Sequence, residues 1–222
     1  MHAIYNQLLR PADLCFEVGA HRGTGALELL EYAGRLVAIE PQPWCAMEFA
    51  RSMAPDDRVA AVVAAAGARP GHARLFVCRG SDTISTLSEH FRTRSRFATR
   101  GYCWDETLDT KIITLDQLIA RHGRPDYCRI DAEGFEALIL QGLSCPLRLV
   151  SFEFHEELPD AVSQCLVRLE ALSPLMCNVE VGDSRTLALD RWVRPAELLD
   201  RLPALGPCEW GLWGQIYVRM LL

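Results

Sequence analysis

The chain has 222 residues, half of them hydrophobic, and a formal net charge of −6. That is enough apolar material to bury a sizeable core, which excludes a disordered chain, and the acidic balance argues against a nucleic-acid partner, because phosphate affinity needs a net basic footprint. No apolar window approaches the roughly 20 residues of a membrane span, and the opening segment MHAIYNQLLRPADL lacks a signal peptide's apolar core, so a cytoplasmic protein without a membrane partner is expected.

In chain order, residues 14–18 read as a buried strand and 24–32 as a helix whose apolar and acidic positions segregate by face. A second strand over 35–39 ends at Glu40-Pro41, followed by a helix over 44–53 and strands over 58–64 and 74–78. Farther on, 115–121 is a helix closed by Gly123, 127–130 a strand, 135–141 a helix stopped by Gly142, and 147–154 a strand. The tail adds a helix over 161–172, a strand over 176–181 and, after the turn EWGLWG, a last strand over 215–220 that ends the sheet as an antiparallel edge. Such alternation means a largely parallel sheet with helices on both faces. One domain, 1–222, is expected, with a lid or insertion at 79–110, a stretch too long for an ordinary connection. No repeat or low-complexity segment interrupts the chain, and no pattern sets an oligomeric state.

Nine cysteines lie dispersed in apolar surroundings without any C-x-x-C, and read as small buried hydrophobes rather than zinc ligands. Lys111 is the only lysine, placed at a strand entrance, so Schiff-base chemistry has one isolated candidate.

The stretch FEVGAHRGTG, residues 16–25, joins the first strand to the first helix through Gly19, Gly23 and Gly25. It lets a ligand approach the backbone at the carboxyl end of the sheet, but it does not meet the dinucleotide pattern G-x-G-x-x-G, since Glu28 takes the last glycine position. Glu17 repels a pyrophosphate settling there and attracts a ligand with an ammonium group, as in S-adenosylmethionine (SAM). Glu40, at the end of the next strand, suits the hydroxyls of a ribose in NAD or SAM alike. The alternative is that Glu17 caps the turn and that His21 and Arg22 face solvent.

A second constellation, PDYCRIDAEGFEALILQGL, puts Asp131 and Glu133 at a strand's carboxyl end, on the rim of the glycine loop. Together with FEVGAHRG, VAIEPQP, TLDQLI and LVSFEFHEE, it resembles the FkbM family of SAM-dependent methyltransferases in order and spacing, and IDAEGFE with SFEFHE is the most specific part. The resemblance implies a Rossmann-like class I methyltransferase fold, with a seven-stranded mostly parallel sheet, its last strand antiparallel, and helices on both faces. It implies SAM as methyl donor, and a hydroxyl of a sugar or other small metabolite as acceptor. By position, Glu17, Gly19, Ala20, His21, Gly23, Glu40 and Pro41 would line the cofactor site, with Asp131 contacting cofactor or substrate. The chain departs from the family in Glu17, where aspartate is commoner, and in Ala132, where valine is commoner; neither alters charge.

Methyl transfer needs the acceptor's proton to leave, through a base within about 3 Å or through a metal. His155, at the end of SFEFH, is a candidate base, with Asp131 and Glu133 as alternates. Asp131, Glu133, Glu153 and His155 could instead gather Mg²⁺, although no ligand spacing compels a metal. Arg92, Arg94, Arg96 and Arg100, mixed with aromatics over 90–104, form either a solvated loop or a lid recognising an anionic or ring-shaped acceptor, with Arg94 and Arg96 as its contacts. An NAD(P)-dependent oxidoreductase is the competing reading, and a non-catalytic nucleotide-binding module the third.

Overall fold

The computed structural model describes residues 3–53, 56–208 and 210–222. Met1 and His2, and Glu209 of the EWGLWG turn, lie outside the described residues. A short helix α1 (Ala3–Leu8) precedes β1 (Leu14–Val18), α2 (Thr24–Leu30), β2 (Arg35–Glu40), α3 (Pro43–Met53) and β3 (Val59–Val63). A smaller sheet follows, from β4 (Ala65–Ala66), β5 (Gly71–Val77) and β6 (Glu106–Ile113), with α4 (Glu89–Arg94) and α5 (Arg96–Thr99) between the last two. The chain then returns through α6 (Leu115–His122), β7 (Tyr127–Ile130), α7 (Glu136–Leu140), β8 (Leu149–His155), α8 (Pro159–Glu170), β9 (Leu175–Val181), α9 (Pro195–Arg201) and β10 (Trp213–Met220).

The main sheet has seven strands in the order β3-β2-β1-β7-β8-β10-β9. Only β10 runs antiparallel, and it lies between β8 and β9 rather than at the edge expected for it. The reason lies in composition: IYV of β10 is buried on both sides, and the chain has first to lay β9 one position farther out. The chain moves outward from β1 in one direction and from β7 in the other, so the carboxyl ends of these neighbours flank a crevice, the usual ligand position in such sheets.

Strand alternation sorts the residues onto two faces. Phe16, Val18, Cys128, Ile130, Phe152 and Ile216 pack into one core against α6, α7 and α8. Cys15, Leu36, Ala38, Tyr127 and Tyr217 pack on the opposite face against α1 and α2. Helix α6 starts at a capping box in which Thr114 and Gln117 satisfy each other's backbone amides, as T-x-x-Q requires.

The region 79–110 is ordered differently from the expected irregular insertion. Its last part is β6, which pairs antiparallel with β5 over seven positions, so Lys111 sits within a strand opposite His72 rather than at a strand entrance. Phe91, Phe97, Tyr102 and Trp104 form an aromatic cluster with Cys78, Ile84 and Leu158. Such burial of rings holds the connection against the rim. All nine cysteines are free; six are buried as expected, whereas Cys145 and Cys208 are half-buried and Cys103 is exposed. Among the described residues no helix is long and apolar enough to cross a membrane.

Candidate active site

The polar floor of the crevice follows from register. Glu17 on β1 faces Arg129 on β7, which faces Ser151 on β8, which faces Tyr217 on β10. Two residues farther along the same face stand Asp131, Glu153, Gln215 and Glu180. This face is apolar at its base and becomes a row of ionisable groups at the carboxyl rim.

Glu17 is 1 % exposed. Its Oε1 accepts from Arg129 Nη1 at 2.7 Å, and Arg129 Nη2 donates to Asp131 at 2.8 Å. The other oxygen, Glu17 Oε2, is buried without a hydrogen-bond partner. Burial raises the Glu17 carboxyl to about 7 in spite of the guanidinium, which pulls the other way. Gly25, in the first turn of α2, makes this possible: a Cβ there would fall 2.4 Å from Glu17 Oε1 and 2.5 Å from Arg129 Nη1. Arg129 was not singled out by sequence reasoning, although a charge in the apolar run YCRI is its signal.

Gly19 has φ +85°, and a Cβ there would lie 1.7 Å from the carbonyl oxygen of Asp131, so the loop and the end of β7 touch backbone to backbone. The loop amides are already used. Gly19 and Ala20 donate to Ile39 O at 2.9 and 3.1 Å, and Gly23 donates to Ala20 O at 2.8 Å. The amide of His21 donates to Glu40 Oε2 at 2.9 Å, and that of Gln42 to Glu40 Oε1 at 2.8 Å. Glu40 is therefore held by two backbone donors, one from the glycine loop and one from the turn after β2, and burial raises its carboxyl above the ordinary range.

Asp82, invisible to sequence reasoning because it sits in a polar stretch without periodicity, fastens this loop. Its carboxylate receives Arg22 through two bonds, 2.9 and 2.7 Å, and lies 2.9 Å from His21 Nε2. Its carbonyl accepts from Gln42 Nε2 at 3.0 Å. The Arg22 hydrogen bonds hold the Asp82 carboxyl far below the usual range. His21 and Arg22 thus face Asp82 rather than open solvent.

At the other end of the crevice, Asp131, Glu133 and Glu153 converge with His155 behind them. His155 Nε2 is 3.0 Å from Glu153 Oε2 and 3.7 Å from Glu133 Oε2. Its other nitrogen, Nδ1, accepts from Arg96 Nη2 at 2.9 Å. A guanidinium only donates, so neutral His155 carries its proton on Nε2 and donates it to Glu153. Burial lowers the His155 pKa, and Arg96 adds to the effect. Burial raises Asp131, Glu133 and Glu153, with their mutual repulsion adding to the rise for Asp131 and Glu133. Glu133 has φ +53°, a strained value for a residue with a side chain, and its Oε2 lacks a partner. The turn is locked by Glu136, whose Oε1 accepts from the amides of Ala132 and Gly134 at 2.9 and 3.2 Å.

One cavity of about 300 Å³ connects these groups: Glu17, Gly19, Ala20, His21, Glu40 and Pro41 line one part, and Asp131, Glu133 and Glu153 another. Gly23 is not in its wall but sets the loop's turn, and His155 stands behind Glu153. Of the region 79–110, Thr83, Ser85, Thr86 and Leu87 reach the cavity. The arginines of 90–104 do not. Arg96 is buried against Glu157, His155 and the carbonyl of Trp210, Arg94 is exposed, and Arg100 stacks over Trp210. A shared acceptor contact by Arg94 and Arg96 is thereby corrected: the buried guanidinium already has its partners.

Ligand atoms of Glu133, Glu153 and His155 lie within 4.8 Å of one another, close enough for a cation by distance alone. The donor set does not suit one, because His155 presents a proton at Nε2 and Arg96 places a positive charge directly behind it.

A family model described as the methyltransferase FkbM domain matches residues 17–187. No curated protein matches the chain by sequence. Among solved structures, the methyltransferase FkbM from Methylobacillus flagellatus KT superposes with a TM-score of 0.52 at 12% identity, covering 98% of this chain and 50% of that one. An rRNA methylase from Streptococcus thermophilus gives 0.51 at 8% identity, with 100% and 94% covered. A precorrin-6y C5,15-methyltransferase from Geobacter metallireducens GS-15 gives 0.51 at 10% identity, with 98% and 85% covered. At these identities the structures establish the fold, and the family match covers both motifs that line the cavity. The chain belongs to the FkbM methyltransferase family and has the class I methyltransferase fold.

Proposed function

We propose that the protein transfers a methyl group from SAM to a hydroxyl of a small, polyhydroxylated metabolite. One observation carries this reading: Glu17 and Glu40 open onto the same cavity while the loop amides of Gly19, Ala20, His21 and Gly23 are already bonded. A pyrophosphate needs free backbone donors and tolerates no buried acid beneath it, which counts against NAD(P). A nucleoside with an ammonium tail needs acceptors. The partnerless Oε2 of Glu17 suits the ammonium, and Glu40, held by two amides, suits the ribose hydroxyls.

When bound, SAM supplies an already activated methyl, so the protein's task is to position the acceptor, exclude water and remove a proton. Asp131 and Glu153, neighbours in the cavity wall and both raised to about 7, receive the hydroxyl's proton as a unit. Glu133 stands on the wall of the first cavity beside them, its carboxyl raised by burial and its Oε2 without a hydrogen-bond partner. His155 is a positioning residue: its N–H holds Glu153 in place, and Arg96 fixes its tautomer. No step requires Mg²⁺. Thr83 to Leu87 covers the nucleoside end, and the aromatic cluster of 90–104 braces that cover.

Incubating the protein with SAM carrying a deuterated methyl in a cell extract, followed by mass spectrometry, tests the reading. Transfer of label to the oxygen of a small metabolite is expected, unchanged by a chelator. Label appearing only in RNA, or on nitrogen, contradicts it.

A further inference from the structure

A second cavity, of about 400 Å³, lies beyond Arg129, on the side of β8, β10 and β9. It shares Thr24, Gly25, Arg129, Asp131 and Glu153 with the first, so the proton-accepting carboxylates form the partition between the two. The reading above gives the first cavity its occupant but leaves this one without a role.

The second cavity has features of a binding site. Gln215, in the middle of the sheet between Glu153 and Glu180, is 8 % exposed, and its Oε1 is buried without a hydrogen-bond partner. Trp213 Nε1, in the same wall, is also buried and unpartnered. One is an acceptor and the other a donor, each costing stability while unmatched. A hydroxyl satisfies both kinds of group. The mouth is held by Arg185, which pairs with Glu28 at 2.6 Å and has the strained φ of +58°.

Charge narrows the ligand further. Five carboxylates line the cavity, Glu28, Asp131, Glu153, Glu180 and Asp183, against two guanidiniums, Arg129 and Arg185. The guanidiniums are ion-paired with Asp131 and Glu28, which leaves Glu153, Glu180 and Asp183 without a guanidinium partner among the described residues. An anionic ligand meets repulsion there, and an ammonium group meets attraction.

We propose that this cavity is the acceptor subsite and that it takes a polyhydroxylated ring compound bearing an amine, excluding phosphorylated or carboxylated ones. The proposal rests on the methyltransferase reading; of the sequence expectation of an anionic or ring-shaped acceptor held by lid arginines, it keeps the ring and excludes the anion.

Saturation-transfer NMR on protein saturated with S-adenosylhomocysteine tests it, with glucosamine, glucose and glucose 6-phosphate as probes. Transfer to glucosamine is expected, less to glucose and none to the phosphate. In Gln215→Met, which keeps the side chain's length but removes the unmatched oxygen, transfer to glucosamine should fall at least fivefold. The same variant should melt no lower than the parent and retain its affinity for S-adenosylhomocysteine. Equal transfer to glucose 6-phosphate, no transfer to any probe, or undiminished transfer in Gln215→Met overturns the subsite. Failure of S-adenosylhomocysteine to bind the parent protein overturns instead the methyltransferase reading.

Discussion

Arg129 stands between Glu17 and Asp131, 2.7 Å from one and 2.8 Å from the other, so one guanidinium neutralises two carboxylates of the cavity wall. Removing it leaves two acids facing each other in a largely dry site. Arg129→Met should cost about 3 kcal/mol, toward the low end for a broken buried pair because Glu17 can take up a proton. For a chain of this size that corresponds to a melting point lower by roughly 6 to 12 °C. Differential scanning calorimetry checks it; an unchanged melting point would show that the two acids need no counter-charge.

The Asp82 carboxylate binds the glycine loop to the start of α3 through Arg22, His21 and Trp44. Asp82→Ala should weaken cofactor binding by roughly tenfold while kcat changes less than twofold, because the loop loses its anchor but the acids at the far end are untouched. The stability loss should be modest, about 1 to 2 kcal/mol, since the group is partly exposed. Steady-state kinetics with varied SAM would separate the two effects, and a loss confined to kcat would contradict the anchoring role.

Much of the fold was legible because the strands of this sheet are short apolar runs closed by Gly, Pro or an acid. The first and fourth strands of the main sheet begin where expected, and the glycine loop and the DAEG turn fall on one rim. Of the row of side chains across that rim, Asp131, Glu153 and His155 were singled out, whereas Arg129, Ser151, Asn178, Glu180, Gln215 and Tyr217 were legible in principle but missed. Arg129 and Asp131, Ser151, Glu153 and His155, Asn178 and Glu180, and Gln215 and Tyr217 each alternate with apolar neighbours, which marks one sheet face as polar at its end. Reading the strands as uniformly buried concealed it. Asp82 and the β6 pairing had no such signal: one depends on a single carboxylate in a turn, the other on β5, 29 positions earlier, as the distance from Val77 to Glu106 in sequence shows.

The buried acids set the pH dependence of folding. Glu17 and Glu136 are raised to about 7, and Asp131, Glu133 and Glu153 are raised as well, by burial first. Between the ordinary carboxylate range and about pH 7 the folded chain keeps protons that the unfolded chain releases, so stability is lost as pH rises through that window. His155 and His122 oppose this, both being lowered, but the raised carboxylates, Glu40 and Glu180 among them, outnumber them. Thermal midpoints of the ligand-free protein should therefore be higher near pH 5.5 than near pH 8, by roughly 5 °C or more. A midpoint that rises steadily toward pH 8 would place these carboxylates in water instead.

Catalysis should distinguish a group that accepts the proton from one that orients it. Glu153→Gln should lower kcat by a factor of roughly 100 or more and abolish the rise of kcat with pH around neutrality. His155→Phe should lower kcat less and move that rise to a different pH without removing it, because the Asp131–Glu153 pair persists. If His155→Phe abolished the pH dependence while Glu153→Gln preserved it, the imidazole would be the base after all.

The central claim is that a buried acid beneath a loop with spent amides selects an ammonium-bearing nucleoside over a dinucleotide. Isothermal titration of the parent protein and Glu17→Gln with S-adenosylhomocysteine and with NAD measures this directly. S-adenosylhomocysteine should bind the parent and lose at least tenfold in affinity for Glu17→Gln, with no heat from NAD in either. Tight binding of NAD by the parent, or undiminished affinity of Glu17→Gln for S-adenosylhomocysteine, would contradict it.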